Sequence, residues 1–209
     1  MDAITNDHLI RDQATLTALY GESSAGAIGK EIDYIHPHYR AMIEAAPFMI
    51  LATSGPEGLD ASPRGDPAGF VHVLDDKTVL IPDRRGNNRV DSLRNIIRDD
   101  RVALLFLIPG IGETLRINGR ASISVAPDLI ERFPYKSTLP RSVIVVRAER
   151  VYFQCSKALV RSGLWNPDTQ ISRNALPSTG TILADITAGK VDGAQYDRDS
   201  PDRLMATIY

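Results

Sequence analysis

Between Phe48 and Phe153, short apolar runs alternate with clusters of turn residues, at the spacing of strands rather than of helices. Phe48–Thr53 is apolar and gives way to the turn-rich Ser54-Gly-Pro-Glu-Gly58. Gly69–Leu74 and Thr78–Pro82 flank Asp75-Asp-Lys77, which predicts a hairpin. Val102–Ile108 is almost wholly apolar and reads as a strand buried on both faces. After the Pro109-Gly-Ile-Gly112 turn, Thr114–Ser124 alternates. Leu115, Ile117, Gly119, Ala121 and Ile123 fall on one face, and Arg116, Asn118, Arg120 and Ser122 on the other. Ser142–Phe153 is the last long strand, and the helical segment Asn88–Arg98 interrupts the set with Val90, Leu93 and Ile97 on one face. Six strands broken by one helix predict a mainly β chain with peripheral helices, an α+β fold built on a small mixed barrel rather than a parallel α/β sheet.

The flanks read as helical. Residues 1–36 form a lead-in with helices expected at Ala14–Tyr20 and Ser24–Ile35. Pro37 suits a first helical turn, so Pro37–Ala46 is expected as a fresh helix with Tyr39, Met42, Ile43 and Ala46 inward, ended by Pro47. Beyond the last strand, Ser156–Leu164 reads as a helix with Lys157 and Arg161 four apart on one face, closed by Trp165-Asn-Pro167. Ser178–Gly189 reads as a final helix, and the polar Tyr196–Tyr209 as partly loose.

Composition narrows the function classes. A chain of 209 residues is enough for one well-cored domain, and 43% hydrophobic with 24% charged residues is the balance of a soluble globular protein. The net charge of −2 gives no general attraction to nucleic acid or to an anionic membrane. Cys155 is the single cysteine, which rules out an internal disulfide and a four-cysteine zinc site and fits a reduced, cytoplasmic setting. The first residues, Met1–Asp7, are polar and acidic without an apolar signal core, and no apolar run reaches the length of a membrane span.

Three groups of residues carry candidate chemistry. Gly86-Asn-Asn-Arg89 opens the expected helix, with Asn88, Arg89 and Ser92 in its first turn. A helix start presents unpaired N–H groups and a partial positive charge, and arginine grips phosphate oxygens in pairs, so a phosphate-bearing cofactor fits. A solvated surface helix with ordinary capping fits equally. Ser62-Pro-Arg-Gly-Asp66 lies at a strand end, where Gly65 would let a flat ligand approach the backbone and Arg64 and Asp66 would read a polar edge; a plain bulge or turn is the alternative. Arg116, Asn118 and Arg120 form a polar strand face, which lines the same groove or is simply solvated. Other chemistries drop out: there is no phosphate-binding G-x-x-x-x-G-K loop, no H-E-x-x-H and no G-x-S-x-G, and Gly110-Ile-Gly112 lacks the third glycine of a dinucleotide fingerprint. His36-Pro-His38 has no third ligand at a suggestive spacing, so no metal site is expected; His72 reads as structural and Cys155 as an inert thiol.

Taken in order, these segments resemble the pyridoxamine 5'-phosphate oxidase-like, FMN-binding split-barrel superfamily, and within it an uncharacterised bacterial branch. The resemblance runs through Pro47–Ser54, Ser62–Gly65, Arg89–Ile96 and Leu104–Ala121, and continues in Cys155-Ser-Lys-Ala158 and Arg161-Ser-Gly-Leu-Trp165. The run Glu113-Thr-Leu-Arg-Ile-Asn-Gly-Arg-Ala121 is its most specific part. It implies a six-stranded split β-barrel, homodimeric, with two FMN sites at the subunit interface. The domain organisation it implies is a helical lead-in over 1–46, the FMN-binding barrel over 47–155, and a C-terminal helical extension over 156–209 that packs on the barrel and the cofactor site. Carried over by position, Asn88, Arg89 and Ser92 hold the FMN phosphate, and Ser62, Arg64, Gly65, Ile81, Pro82 and Asp83 line the flavin. Arg116 and Asn118 face the ring or ribityl chain, and Lys157, Arg161 and Trp165 close the site, from the same or the other subunit.

The activity implied is that of an FMN-dependent oxidoreductase passing hydride between flavin and a small-molecule substrate, another flavin, or NADH or NADPH. No residue stands out as its general acid or base. A flavin- or haem-binding sensor or carrier without turnover is the alternative from another class, and a structural dimer that has lost its cofactor is a third. The chain departs from the oxidase proper in two places. Asn88-Arg89 stands where the oxidase has Arg-Lys, and Arg203-Leu-Met-Ala206 where it ends in Arg-Leu-Ala-Pro. Pyridoxamine phosphate is therefore not expected as the substrate.

Overall fold

Seven segments with strand character hydrogen-bond into one antiparallel sheet in the computed structural model, which describes residues 8–136 and 138–208. The polar start Met1–Asp7 and the terminal Tyr209 lie outside the described residues. The chain divides into two units, one up to Glu31 and one from Ile32 onward.

In the first unit, α1 (Gln13–Tyr20) is capped by Asp12, whose side chain accepts from the Thr15 N–H. The short α2 (Ala25–Gly29) is capped in the same way by Ser24. The helix expected over Ser24–Ile35 stops at Gly29. Gly26 and Gly29 weaken it, and Ile32 forms a backbone bridge with Val151 instead.

In the second unit, α3 (Pro37–Ala45) has Pro37 at its start and buries Ile43; Ala46 just beyond is also buried, and Tyr39 and Met42 pack against the core from the same face. The strands follow: β1 (Phe48–Gly55), β2 (Gly58–Gly65), β3 (His72–Val73), β4 (Thr78–Asp83), then α4 (Asp91–Arg98), β5 (Arg101–Leu107), β6 (Thr114–Ser124), the one-turn α5 (Pro127–Ile130) and β7 (Ser142–Gln154). Three helices close the chain: α6 (Lys157–Ser162), α7 (Thr179–Ile186) and α8 (Gly193–Thr207). The expected α+β, mainly β architecture holds, with one strand more than expected. Residues 54–58 make a tight hairpin, so Gly58–Gly65 pairs along the whole of β1. Tyr196–Tyr209, expected to be partly loose, is helical as far as Thr207. Asp192 caps that helix, which runs on through Pro201. It is fixed against α7 where Gly180 and Gly193 meet, and Asp197 accepts from the Gly180 N–H.

The strand order is β2-β1-β5-β6-β7-β4-β3. In a flat sheet, β2 and β4 would stand five strand spacings, or roughly 24 Å, apart. Yet Arg64 on β2 and Asp83 on β4 are ion-paired at 2.6 Å. The sheet is therefore rolled, and β2 and β4 face each other across a seam where no ladder joins them. This is the split of the barrel.

Inside the roll, Met49, Leu51, Val79, Ile81, Leu104, Phe106, Leu115, Ile117, Ile144, Val146 and Val151 form one core. Burying a side chain of this size contributes roughly 1.5–3 kcal/mol. The expectation that Val102–Ile108 is covered on both faces is corrected. Val102, Leu104 and Phe106 are buried, but Ala103, Leu105 and Leu107 are only half-buried, level with Ile50 and Ala52 of β1. The second face is an apolar outer wall of the protomer. The α4 stripe is also corrected: Ser92 and Ile96 are buried while Val90 and Ile97 are exposed. The helix starts three residues later than expected, and the face it turns to β1 and β2 carries Ser92 and Asn95, hydrogen-bonded to Asp60 and Thr53.

Candidate functional site

A cavity of about 720 Å³ opens at the seam. β2 forms one wall, and the end of β4, the 84–90 loop and the start of α4 form the other; Arg141 and Ser142, where β7 begins, complete the rim. Its volume lies within the roughly 300–1,000 Å³ of small-molecule sites. Along β2, Asp60, Ser62 and Arg64 are half-buried and alternate with exposed Leu59, Ala61, Pro63 and Gly65, as the pleat requires.

Two ion pairs cross the seam in opposite senses. Arg64 Nη1 donates to Asp83 Oδ1 at 2.6 Å, and Arg84 Nε donates to Asp66 Oδ2 at 2.8 Å. Each side contributes one cation and one anion. Arg84 also donates to the Phe133 carbonyl at 2.9 Å and lies over the Tyr135 ring, tying the seam to the segment between β6 and β7.

Arg64 is not fully satisfied. Its Nε is buried without an acceptor, the one such side-chain nitrogen or oxygen among the described residues. An orphaned buried donor costs about 1–3 kcal/mol. The cavity beside it is lined by five arginines, Arg64, Arg84, Arg85, Arg89 and Arg141, so the site fits a polar, partly anionic cofactor.

The loop that precedes α4 differs from the sequence expectation. Asn88 and Arg89 lie before the helix, not in its first turn, which carries Ser92. Asn88 and Val90 both have left-handed backbone, with φ of 60° and 53°. Asn tolerates that region; Val, branched at Cβ, does not, and the strain is about 1–3 kcal/mol. Arg89 is three-quarters exposed and paired with Asp91 at 2.7 Å, which pushes its pKa further up. Ser92 Oγ donates to Asp60 at 2.6 Å.

The cavity thus brings together Ser62, Arg64, Gly65, Pro82, Asp83, Asn88, Arg89 and Ser92. Gly65 reaches it with its backbone, since a Cβ there would head for the Pro47 carbonyl and the Phe48 ring. Ile81 is fully buried in the core beneath. Arg116 lies on β6, donates to the Tyr152 hydroxyl at 3.1 Å and stacks on that ring; Asn118 is half-buried on the same strand. Lys157 and Arg161 are exposed on α6, and Trp165 Nε1 donates to the Ile111 carbonyl. None of these last residues lines the cavity of this protomer.

Residues 35–155, more than half of the chain, match the sequence profile of the pyridoxamine 5'-phosphate oxidase family. The chain belongs to that family. Solved structures similar to this pyridoxamine 5'-phosphate oxidase family member include HupZ of Group A Streptococcus, at 18% identity, covering 58% of this chain and 95% of that one with a TM-score of 0.48. Others are an FMN-binding protein from Syntrophomonas wolfei (11% identity, 55% and 82% covered, TM-score 0.43) and a Clostridium acetobutylicum protein related to general stress protein 26 of Bacillus subtilis (12% identity, 56% and 86% covered, TM-score 0.40). No curated protein matches the chain.

Several cavity residues of this family member escaped the sequence reading. Arg84 and Arg85 adjoin the turn that was singled out, and two adjacent cations beside it were a usable signal. Arg141 had none: it follows Leu139-Pro140, far along the chain, and only the pairing of Ser142 with Asp83 brings it to the rim.

Proposed function

We propose that the protein is an FMN-dependent oxidoreductase that works as a homodimer. The observation carrying this reading is the seam cavity itself, lined by the guanidinium-bearing residues Arg64, Arg84, Arg85, Arg89 and Arg141. FMN offers such a cavity acceptor atoms on its ring and a phosphate on its chain. When bound, it supplies the hydride chemistry; the chain binds and orients it. Ser62, Arg64, Gly65, Pro82 and Asp83 are assigned to the flavin side, with Ile81 in the core beneath them, and Asn88, Arg89 and Ser92 to the phosphate side. Arg116, Asn118, Lys157, Arg161 and Trp165 are assigned to a site completed by the second copy. The apolar outer wall of β1 and β5, with Phe48 on β1 38% exposed, supports such a partner, as does Leu59 on the adjoining β2, 88% exposed. The electron partner in this reading is a small molecule, NADH or NADPH.

A second reading, flavin binding without turnover, is favoured by one observation. The described lining contains no histidine, cysteine, lysine or tyrosine to move a proton. It contains no methionine either, so it offers none of the usual protein ligands for a haem iron, which favours flavin over haem.

The absorbance of the purified protein, before and after adding FMN, tests the proposal. A yellow protein bleached by NADH or NADPH without oxygen supports the oxidoreductase. A yellow protein that neither reduces supports the carrier, and a protein that takes up no FMN overturns both. Light scattering is expected to give a dimer; a monomer with FMN still bound would defeat the shared site.

A further inference from the structure

The cavity rim carries more cations than its carboxylates neutralise. Arg64 is matched by Asp83, Arg84 by Asp66 and Arg89 by Asp91. Asp60, on the β2 wall, accepts from Ser92. Arg85 and Arg141 remain, and among the described residues neither has a carboxylate at ion-pair distance. Arg141 is nevertheless held in place: its Nη1 donates to Asn88 Oδ1 at 3.3 Å, across 53 residues of chain. A neutral acceptor fixes the direction of a guanidinium without cancelling its charge. Asp91 does the opposite to Arg89.

We propose that Arg141, positioned by Asn88 and assisted by Arg85, is the main cation for the phosphate of the cavity's ligand, and that Arg89 is secondary. The neutral Asn88 then has a purpose that a cation at that position would defeat, because a cation would repel Arg141. The charge that the loop lacks at residue 88 is supplied in space from the start of β7. This inference rests on the FMN reading for its ligand but not for its chemistry, which is recognition of a phosphomonoester by a planar two-toothed donor.

The test compares wild type with Arg141→Gln, Asn88→Ala and Arg89→Gln, titrated with FMN, riboflavin and inorganic phosphate. Arg141→Gln is expected to weaken FMN about tenfold or more while leaving riboflavin unchanged, the usual size of a lost hydrogen bond to a charged group. Asn88→Ala should produce a smaller loss in the same pattern, and Arg89→Gln the smallest. Arg141 is exposed, so the melting temperature should not move and a folding defect will not mimic the result. An unchanged FMN affinity in Arg141→Gln, an equal loss for riboflavin, or a larger loss in Arg89→Gln overturns the proposal and leaves the FMN reading intact. If wild type takes up neither flavin but binds phosphate through Arg141, the FMN reading falls and the anion site stands. If wild type binds none of the three, both fall.

Discussion

The closed wall of the barrel and its seam belong to one sheet but are built by opposite means. Along β1, β5, β6 and β7, neighbouring strands exchange backbone hydrogen bonds over a core of fully buried Leu, Ile, Val and Phe side chains. Between β2 and β4 there is no ladder. Two crossed Arg–Asp pairs hold the gap, and one arginine is left with a buried, unpartnered N–H. Apolar burial is non-directional and tolerates no vacancy, so the wall excludes ligands. Charged groups need partners of fixed geometry, and where the protein supplies only part of them the remainder is open to a ligand. The candidate cavity opens at the seam, where the fold leaves polar valence unfilled.

The wall should break most severely at Gly119. It sits at the irregularity where the β6–β7 register shifts, and a Cβ there would overlap the Arg147 carbonyl oxygen. Gly119→Ala is expected to cost about 4 kcal/mol or more, the size reserved for a backbone that must move. A urea midpoint within error of wild type would show that the irregularity at Gly119 can open and that the wall is soft there. The seam should yield less. The Asp66 side chain is 2% exposed and its partner Arg84 19%. Asp66→Leu leaves Arg84 with the Phe133 carbonyl but without its counter-charge, at a cost of about 3 kcal/mol. Adding Arg84→Met should recover most of that loss, because two apolar groups replace both members of a partly buried pair. If the double variant is as unstable as the single one, the pair matters for shape rather than for charge.

This difference also explains what was readable in the sequence. The wall was legible because its signal is periodic: the alternation of Thr114–Ser124 places Leu115, Ile117, Gly119 and Ala121 inward, where the structure has them. The seam was legible only in fragments. Ser62–Gly65 and Asn88–Ser92 stood out as turn-and-charge motifs, but pairings such as Arg64 with Asp83 join positions 19 residues apart through the rolling of the sheet, which no local pattern records. Arg141 was invisible for the same reason. The late start of α4 was missed because the chain uses Val90, a poor choice for left-handed backbone, at the position before the helix. The tail differs for another reason: polar composition suggests a partly loose segment, but the Gly180–Gly193 approach and the Asp197 bond need only a few residues to fix a helix.

Val90 permits a smaller, sharper test of the seam. If its strain is simply a cost, Val90→Asn should stabilise the protein by about 1 kcal/mol, since Asn enters the left-handed region readily. A higher melting temperature with unchanged FMN affinity would mean the strain has no part in binding. A lower melting temperature would mean that the Val90 side chain, 41% exposed, makes contacts worth more than its backbone costs.

The smallest expected effect concerns the support behind the seam. His72 on β3 stacks on Phe133, with ring centroids 4.2 Å apart, and Phe133 is the residue whose carbonyl receives Arg84. Burial, and secondarily the nearby Arg132 charge, push the His72 pKa below its ordinary 6.5. The folded state therefore favours the neutral ring. Well above 6.5 neither state is protonated to any extent, and the contribution of His72 to stability is fully present. As pH falls below that value the unfolded chain takes up the proton first, so stability declines until the folded-state pKa is passed, and then levels off. His72→Phe keeps the stack and removes the titration. The difference in melting temperature between the variant and wild type, followed from about pH 7.5 down to about pH 5, should grow in the variant's favour as the pH drops. A difference that stays constant would mean that His72 titrates alike in both states, and that the stack behind the seam is open enough for water to hydrate a charged ring. The seam's rear support would then be as wet as its mouth, and the contrast with the dry wall would extend one layer deeper into the barrel.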